Sequence, residues 1–336
     1  MSDKITNNLM KMENLAIGTT ILLLNLLALF VAIATILGLF GTKFWIFEVL
    51  DHPRLQYSLI LAIALIVGGI YRQKWSFLFG VPFALNLVAI LPLFFHPNLP
   101  VSSNSIPLTI FHANLDRHNL EYARAIEYVS SQKADLIFLQ EVTPTWLNKL
   151  KSDLTNYKLH TVLPLDNSLG VAMLVPISAA PNIEIVASQI LYMPDYSPRP
   201  MIEVIVRREG KEIAILSTST ARGTNSKGAS EFQKIEFDEI AKWSVNQQEG
   251  QKRAVIAIGD LNSTPWSGRF RQFAVDSNLI NSQLGFGLQT SWPAKLPSLF
   301  RIAIDHCLHS KSLRTVDREI GSNIGSDHLP LLVKLL

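Results

Sequence analysis

Charge is scarce in this 336-residue chain. Asp, Glu, Lys and Arg make up 17% of it, against about a quarter in an ordinary soluble domain. Cysteine is scarcer still: the single Cys307 permits no intramolecular disulfide, so a disulfide-stapled scaffold is excluded. It is compatible with either side of a membrane. No internal repeat is visible, and composition excludes a collagen-like chain. With 48% hydrophobic residues and a mean hydropathy of +0.24, intrinsic disorder is excluded too.

The shortage of charge is local. Met1–Val101 holds six of the 30 basic and four of the 27 acidic residues, leaving 24 against 23 for residues 102–336, a net charge of +1. Three charge-free apolar runs lie in the front third, within Asn14–Thr42, Leu55–Tyr71 and Trp75–Phe95. A helix needs roughly 17–25 residues to cross about 30 Å of hydrocarbon. Residues 1–95 therefore read as a membrane anchor with three transmembrane helices, at about 15–40, 55–72 and 75–95. The middle run is at the short limit, with Arg54 and Arg72 placed to snorkel from its ends. Trp45, Tyr57, Tyr71 and Trp75 stand at run ends, where amphipathic rings prefer the interface. Ala32-Ile33-Ala34 has the form of a signal cleavage site. The apolar run continues to Phe40, however, past the roughly 7–15 residues of a secretory core, so an uncleaved anchor is expected. With the N-terminus inside, the inner segments carry Lys4, Lys11, Arg72 and Lys74 against Lys43 and Arg54 outside. A multi-pass integral membrane protein is therefore expected, and this bias predicts its soluble part on the external or periplasmic side.

Residues 96–107, with Pro97, Pro100, Pro107 and three serines, read as a linker. Beyond it come apolar runs of strand length at Leu108–Ala113, Asp135–Leu139, Gly170–Val175, Met201–Val206, Glu212–Thr218, Ala254–Ile258, Ile302–Leu308 and Leu329–Leu335. Several alternate, as in MIEVIVR, which suits a half-buried strand. Glu121–Gln132, Thr143–Leu150 and Ala229–Val245 carry helical spacing. Such a mixture predicts two packed sheets flanked by helices.

The chemistry sits where these strands end. Asn114 closes LTIFHAN, Glu141 follows DLIFLQ, Asp260 and Asn262 follow AVIAIG, Asp305 interrupts IAIDHCL, and Asp327-His328 precede the final strand. Carboxylates and one imidazole at converging strand ends suit metal-assisted hydrolysis. A hard divalent cation takes oxygen ligands and polarises a phosphoryl oxygen.

These residues resemble the endonuclease/exonuclease/phosphatase superfamily, the fold of DNase I, abasic-site endonucleases and sphingomyelinases, here as a membrane-anchored, bacterial-type member. Asn114 in HANLDRHN, Gln140-Glu141 in IFLQEVTPTW, GDLNSTPWS at 259–267, IDH at 304–306 and GSDHLPL at 325–331 carry the resemblance, which spans about Ile106 to Leu336. It implies an α/β (α+β) fold over 108–336, a four-layer α/β/β/α sandwich of two mainly antiparallel sheets. It also implies roles. Glu141 is the expected principal Mg²⁺ ligand (Mn²⁺ being an alternative), helped by Asn114, with Asp327 supporting the metal or its waters. Asp260 orients and deprotonates the attacking water, and Asn262 holds the phosphate or the nucleophile. His328 contacts the phosphoryl group, and Asp305 fixes its tautomer.

One position departs from the pattern. Many relatives carry a histidine after the strand that precedes the long helix, where EIAILSTSTARG has Ser219. A serine hydroxyl donates a hydrogen bond but is a poor general acid near neutral pH. Arg222 and Arg199 are candidate phosphate contacts. His112, His118 and His160 lack zinc-site spacing and read as loop or core residues. His306 points to the opposite strand face from Asp305, and Trp266 and Trp292 read as packing.

The expected activity is divalent-metal-dependent hydrolysis of a phosphodiester or phosphomonoester. The alternative is a catalytically weakened or inactive phosphate- or lipid-binding membrane protein, motivated by Ser219. The substrate is a phosphoester: a lipid headgroup, a small phosphoester or nucleic acid. A net charge of +1 over residues 102–336 gives no dedicated nucleic-acid footprint. Beyond the lipid bilayer, no protein partner is inferable.

Overall fold

The computed structural model describes residues 2–97, 106–178 and 183–336. They form two units, Met1–Pro92 and Leu93–Leu336. Most of the expected linker, residues 98–105, lies outside the described residues.

The first unit contains α1 (Ser2–Gly38), α2 (Trp45–Val49), α3 (Arg54–Ile70), a 3₁₀ turn at Lys74–Phe79 and α4 (Gly80–Ile90). Two helical stretches among the described residues, Lys4–Gly38 and Lys74–Phe94, are long and apolar enough to cross a membrane. The expected middle span falls short. α3 has 17 residues, about 25 Å at 1.5 Å per residue, and its first residue is drawn inward rather than toward an interface. Arg54 is buried; its Nε donates to Asp51 Oδ1 at 2.6 Å and its Nη1 to Asn86 Oδ1 at 3.1 Å. Asn86 donates in turn to Thr35 Oγ1 at 2.9 Å. A polar chain therefore ties α1, α3 and α4 together, and Tyr57 packs beside it with Leu61, Ala64 and Phe79 instead of standing at a boundary.

Twelve strands are found among the described residues of the second unit: β1 (Leu108–Asn114), β2 (Leu136–Gln140), β3 (Tyr157–Leu163), β4 (Val171–Pro176), β5 (Glu184–Tyr192), β6 (Pro200–Arg208), β7 (Lys211–Ser217), β8 (Ala254–Asp260), β9 (Leu279–Asn281), β10 (Asp305–Ser310), β11 (Thr315–Ile320) and β12 (Leu331–Leu335). They make two six-stranded sheets, ordered β11-β12-β1-β2-β4-β3 and β5-β6-β7-β8-β10-β9. Each sheet has one parallel pair, β1 with β2 and β7 with β8, and is otherwise antiparallel. Helices α5 (Tyr122–Ser131) and α6 (Pro144–Asp153) cover the first sheet, and α7 (Lys227–Val245) and α8 (Gly268–Asp276) the second. Their starts are written locally. Thr143 caps α6 by accepting from Trp146 N, with Pro144 in its first turn, and Ser226 and Ser267 cap α7 and α8 in the same way.

Side-chain alternation explains both the layers and the site. One face of each sheet contributes to a shared apolar core: Leu108 and Ile110, Leu136 and Phe138, Ile256 and Ile258, and Cys307. The opposite faces pack under the helices, as with Phe111, Ala113 and Ile137 against α5 and α6. Continuing each inner row by steps of two reaches His112 and Asn114, Gln140, Asp260 and Asp305. At one end of the sandwich, the core turns polar.

Gly259 lies at this transition with φ 147. A Cβ there would stand 1.8 Å from the Thr218 carbonyl oxygen and 2.8 Å from Gln140 Nε2, so neither the backbone conformation nor the space admits a side chain. Gly259→Ala is expected to destabilise the second unit by at least about 2 kcal/mol, as measured by denaturant unfolding followed through its tryptophans.

Candidate active site

The polar end of the sandwich is cross-tied between the sheets. Gln140, at the end of β2, donates through Nε2 to the Thr218 carbonyl beyond β7 at 2.7 Å, and its Oε1 accepts from Asp260 N at 3.4 Å. A buried amide satisfied in this way holds the tips of two sheets in register. It also places Thr218, Ser219 and Thr220 beside Asp260.

Asn114 and Glu141 occupy adjacent strand tips of the first sheet. Asn114 Nδ2 donates to Glu141 Oε1 at 3.2 Å, and Glu141 Oε2 accepts from Arg117 N at 3.1 Å. Glu141 sits at φ 59, a left-handed conformation that costs a non-glycine residue energy and is typically retained at functional sites. The Asn114 carbonyl accepts from Ser326 Oγ at 2.8 Å, and Ser326 Oγ accepts from His328 N at 3.0 Å. This fastens the Asp327-His328 loop to the same corner.

Asp305 lies between two imidazoles. Its Oδ2 is 2.8 Å from His328 Nδ1 and its Oδ1 is 3.2 Å from His112 Nε2, all three residues being buried. An ionised carboxylate only accepts, so both facing nitrogens carry protons. Burial works against the Asp305 charge, but the His328 charge and the hydrogen bonds from both rings outweigh it and hold this carboxyl below the ordinary range. Burial likewise opposes protonation of His328, yet Asp305 and then Asp260 raise its pKa to about 10. The outer nitrogen of His328, Nε2, lies 3.9 Å from Asp260 Oδ2 and 4.0 Å from Asp327 Oδ1. Asp260, desolvated and beside Asp305, is raised above the usual carboxylate range despite the opposing His328 charge.

A second chain of contacts crosses the mouth. Asn262 N donates to Asp260 Oδ1 at 2.9 Å, while its Nδ2 donates to Asp260 Oδ2 at 3.1 Å and to the Thr220 carbonyl at 2.9 Å. Arg222 Nε donates to Asn262 Oδ1 at 3.2 Å, and its guanidinium lies 5.3 Å from the centre of the Trp292 ring. Trp292 Nε1 donates to Asp327 Oδ2 at 2.9 Å.

The structure therefore brings together Asn114 with Glu141, His328 with Asp305, and Asp260 with Asn262 and Arg222, while Trp292 joins Arg222 to Asp327. Ser219 is on the loop after β7, between the residues whose carbonyls take Gln140 and Asn262. Arg199 pairs with a carboxylate: its Nε is 3.7 Å from the fully buried Glu236, which also accepts from Ala221 N, beside Arg222, at 2.6 Å. Desolvation raises Glu236 to about 7. Two participants were read from sequence as structural. His112 is on the inner row of β1, two residues before Asn114, and its step-of-two spacing from Ile110 was the available signal. Trp292 carried no signal, because its partners are on other loops. His306 does face away, against Phe270, with Nε2 at 2.8 Å from the Ser263 carbonyl.

Two groups offer a metal different chemistry. Asp260, Asp305 and His328 present ligand atoms within 4.8 Å of one another, but His328 Nδ1 is committed to Asp305 and the ring retains its proton. Glu141 offers carboxylate oxygens at a half-buried corner, the donor type a hard divalent cation prefers; Asn114 turns its amide nitrogen to Glu141, and its Oδ1 accepts from Asp116 N at 3.0 Å.

The sequence matches the model of the Endonuclease/Exonuclease/phosphatase family over residues 111–328. No curated protein matches it by sequence. Among solved structures, D. rerio TDP2 complexed with a single-strand DNA product is similar with a TM-score of 0.56 at 16% identity, over 69% of this chain and 100% of that one. A mannosyl-6-phosphatase from Bacteroides thetaiotaomicron gives 0.56 at 16% identity, over 68% and 99%. The human Nocturnin catalytic domain with bound sulfate gives 0.54 at 20% identity, over 68% and 94%. At these identities the likeness establishes the fold.

The Asp305–His328 pair has a measurable signature. The folded pKa of His328 lies above its unfolded value of about 6.5, so its contribution is fully present below that value and is lost as pH rises through about 10. Stability of the metal-free protein is expected to fall between pH 7 and 10. Asp305→Asn should flatten that slope in unfolding curves taken across the window.

Proposed function

Because the chain belongs to the endonuclease/exonuclease/phosphatase family, we propose that it is a divalent-cation-dependent phosphoester hydrolase held at a membrane by its N-terminal helices. The observation that carries this reading is the Asp260–His328–Asp305 group, with Asn262 bridging Asp260 to Arg222, at the same sandwich end as the Asn114–Glu141 pair. Two helical stretches of sufficient length and apolarity support the anchor.

Glu141 and Asn114, with Asp327, would hold the cation, Mg²⁺ or Mn²⁺. When bound, it supplies Lewis-acid polarisation of the phosphoryl group and neutralises developing charge. The rest of the work belongs to this chain's own side chains. Asp260, ionised above its raised pKa, accepts a proton from the attacking water, and Asn262 fixes the orientation of its carboxylate through both of its oxygens. His328 presents a protonated Nε2 to a phosphoryl oxygen. Asp305 keeps that ring charged and oriented, and His112 holds the second oxygen of Asp305. Arg222, anchored on Asn262 and Trp292, adds positive charge near the position where Ser219 replaces the histidine of many relatives. Such an array stabilises the charge that develops in phosphoryl transfer.

Ser219 favours a second reading, a phosphate- or lipid-binding protein that retains the fold with little catalysis. The similar structures include a complex with a single-strand DNA product and a mannosyl-6-phosphatase, and the phosphoester chemistry these names share is the substrate class proposed for this chain.

The full-length protein is expected to hydrolyse bis-p-nitrophenyl phosphate in the presence of Mg²⁺ or Mn²⁺ and to lose that activity in EDTA. Asp260→Ala should lower kcat by about 10²–10⁴-fold. Absence of turnover across DNA, RNA, phospholipids and inositol phosphates, with phosphate binding retained, would establish the second reading in place of the first.

A further inference from the structure

The basic side chains that look scattered along the sequence are gathered in three dimensions. Arg207, Arg208 and Lys211 of the β6–β7 hairpin, Lys252 and Arg253 before β8, and Lys311 after β10 line one cavity of about 830 Å³. Only Glu209 and Glu212 oppose these six in its lining, and Glu212 is already taken by Arg207 at 2.9 Å and Arg253 at 2.8 Å. Ile213 and Leu313 add apolar side chains to the same lining.

This cleft is not part of the catalytic end. β7 runs from Lys211 at the cleft to Ser217 beside the site, and β8 from Ala254 to Asp260. Seven residues of strand put roughly 20 Å between the two ends. The chain also arrives in this unit beside the cleft. Leu93 O accepts from Gly285 N and Gly287 N at 2.8 Å, and His96 and Pro97 share a small pocket with His309, Arg314 and Thr315. Arg314 pairs through its backbone with Leu336, itself in the cleft wall. Leu93, His96 and Pro97, the first described residues of the second unit to make these contacts, therefore pack against its basic end.

We propose that this end of the second unit is a docking surface for a bilayer containing anionic phospholipid. Six basic side chains interspersed with apolar ones in one lining match a negatively charged, lipid-bearing surface. A dedicated nucleic-acid face would instead be expected to lead into the catalytic mouth. Docking by this end turns the catalytic mouth away from the bilayer, so substrate arrives from solution rather than from the headgroups beneath. The inference rests on the membrane-anchor part of the proposed function and is independent of catalysis.

The test uses the full chain in nanodiscs and an uncharged maleimide. Cys307 is buried and its thiol is pushed up to about 12 by burial, so Ser312→Cys in the cleft wall provides the reactive thiol, with the exposed Asn225→Cys as control. Labelling at 312 is expected to slow at least tenfold in phosphatidylglycerol-containing discs relative to pure phosphatidylcholine, at about fivefold per engaged basic side chain. High salt, or the added substitutions Lys211→Ser, Lys252→Ser and Lys311→Ser, should restore it. Labelling at 225 should not change. Equal rates at 312 in both lipids, equal slowing at 225, or protection by an added oligonucleotide in place of anionic lipid would overturn the proposal. Failure of the chain to remain with the discs would instead refute the anchor, leaving the hydrolase reading to its own assay.

Discussion

Buried polar side chains that cross between the two sheets hold the candidate active-site end together. An amide or carboxylate in a core must find partners or lose more than it contributes. Here the partners are on the opposite sheet. Gln140 reaches from β2 to Thr218 and Asp260, and His112 reaches from β1 to Asp305 at the start of β10. Each bond fixes two strand tips at once, so the spacing of the catalytic-type groups follows from the satisfaction of the core. The same bonds explain why Gly259 has no room for a Cβ.

Legibility of the fold in the sequence follows burial. The eight strands read from apolar runs are interior to their sheets, where both faces are covered. The four that escaped, β3, β5, β9 and β11, are the edges of the two sheets. β5 alternates between exposed and half-buried positions with no fully buried residue, so it leaves no apolar run. In the first unit, length and apolarity identified the outer two stretches. The middle one begins at a buried network in which Arg54 bonds the neighbouring Asp51 and reaches Asn86, a partner too far along the sequence for hydropathy to pair with it.

The site was legible wherever a polar residue interrupts or ends an apolar row, as at Asn114, Asp260 and Asp305. It was obscured where function depends on contacts between loops. Trp292 gains its place from Arg222 and Asp327, which are 70 and 35 positions away in the numbering of SWPAK and GSDHL. His112 was within reach of the alternation that identified Asn114, since both continue the inner row of Leu108 and Ile110. Net charge hides convergence of the same kind. A balance of +1 over residues 102–336 coexists with a cleft where basic side chains from separate segments converge opposite the mouth.

The central claim is a division of labour: oxygens at the Asn114–Glu141 corner hold a cation, and the Asp260–Asp305–His328 group manages protons. Calorimetric titration of the full-length protein with Mn²⁺ tests it most directly. The account predicts one binding event that Glu141→Gln weakens at least tenfold and Asp305→Asn leaves intact. No binding heat in the wild-type protein, or binding lost with Asp305→Asn and kept with Glu141→Gln, would contradict it.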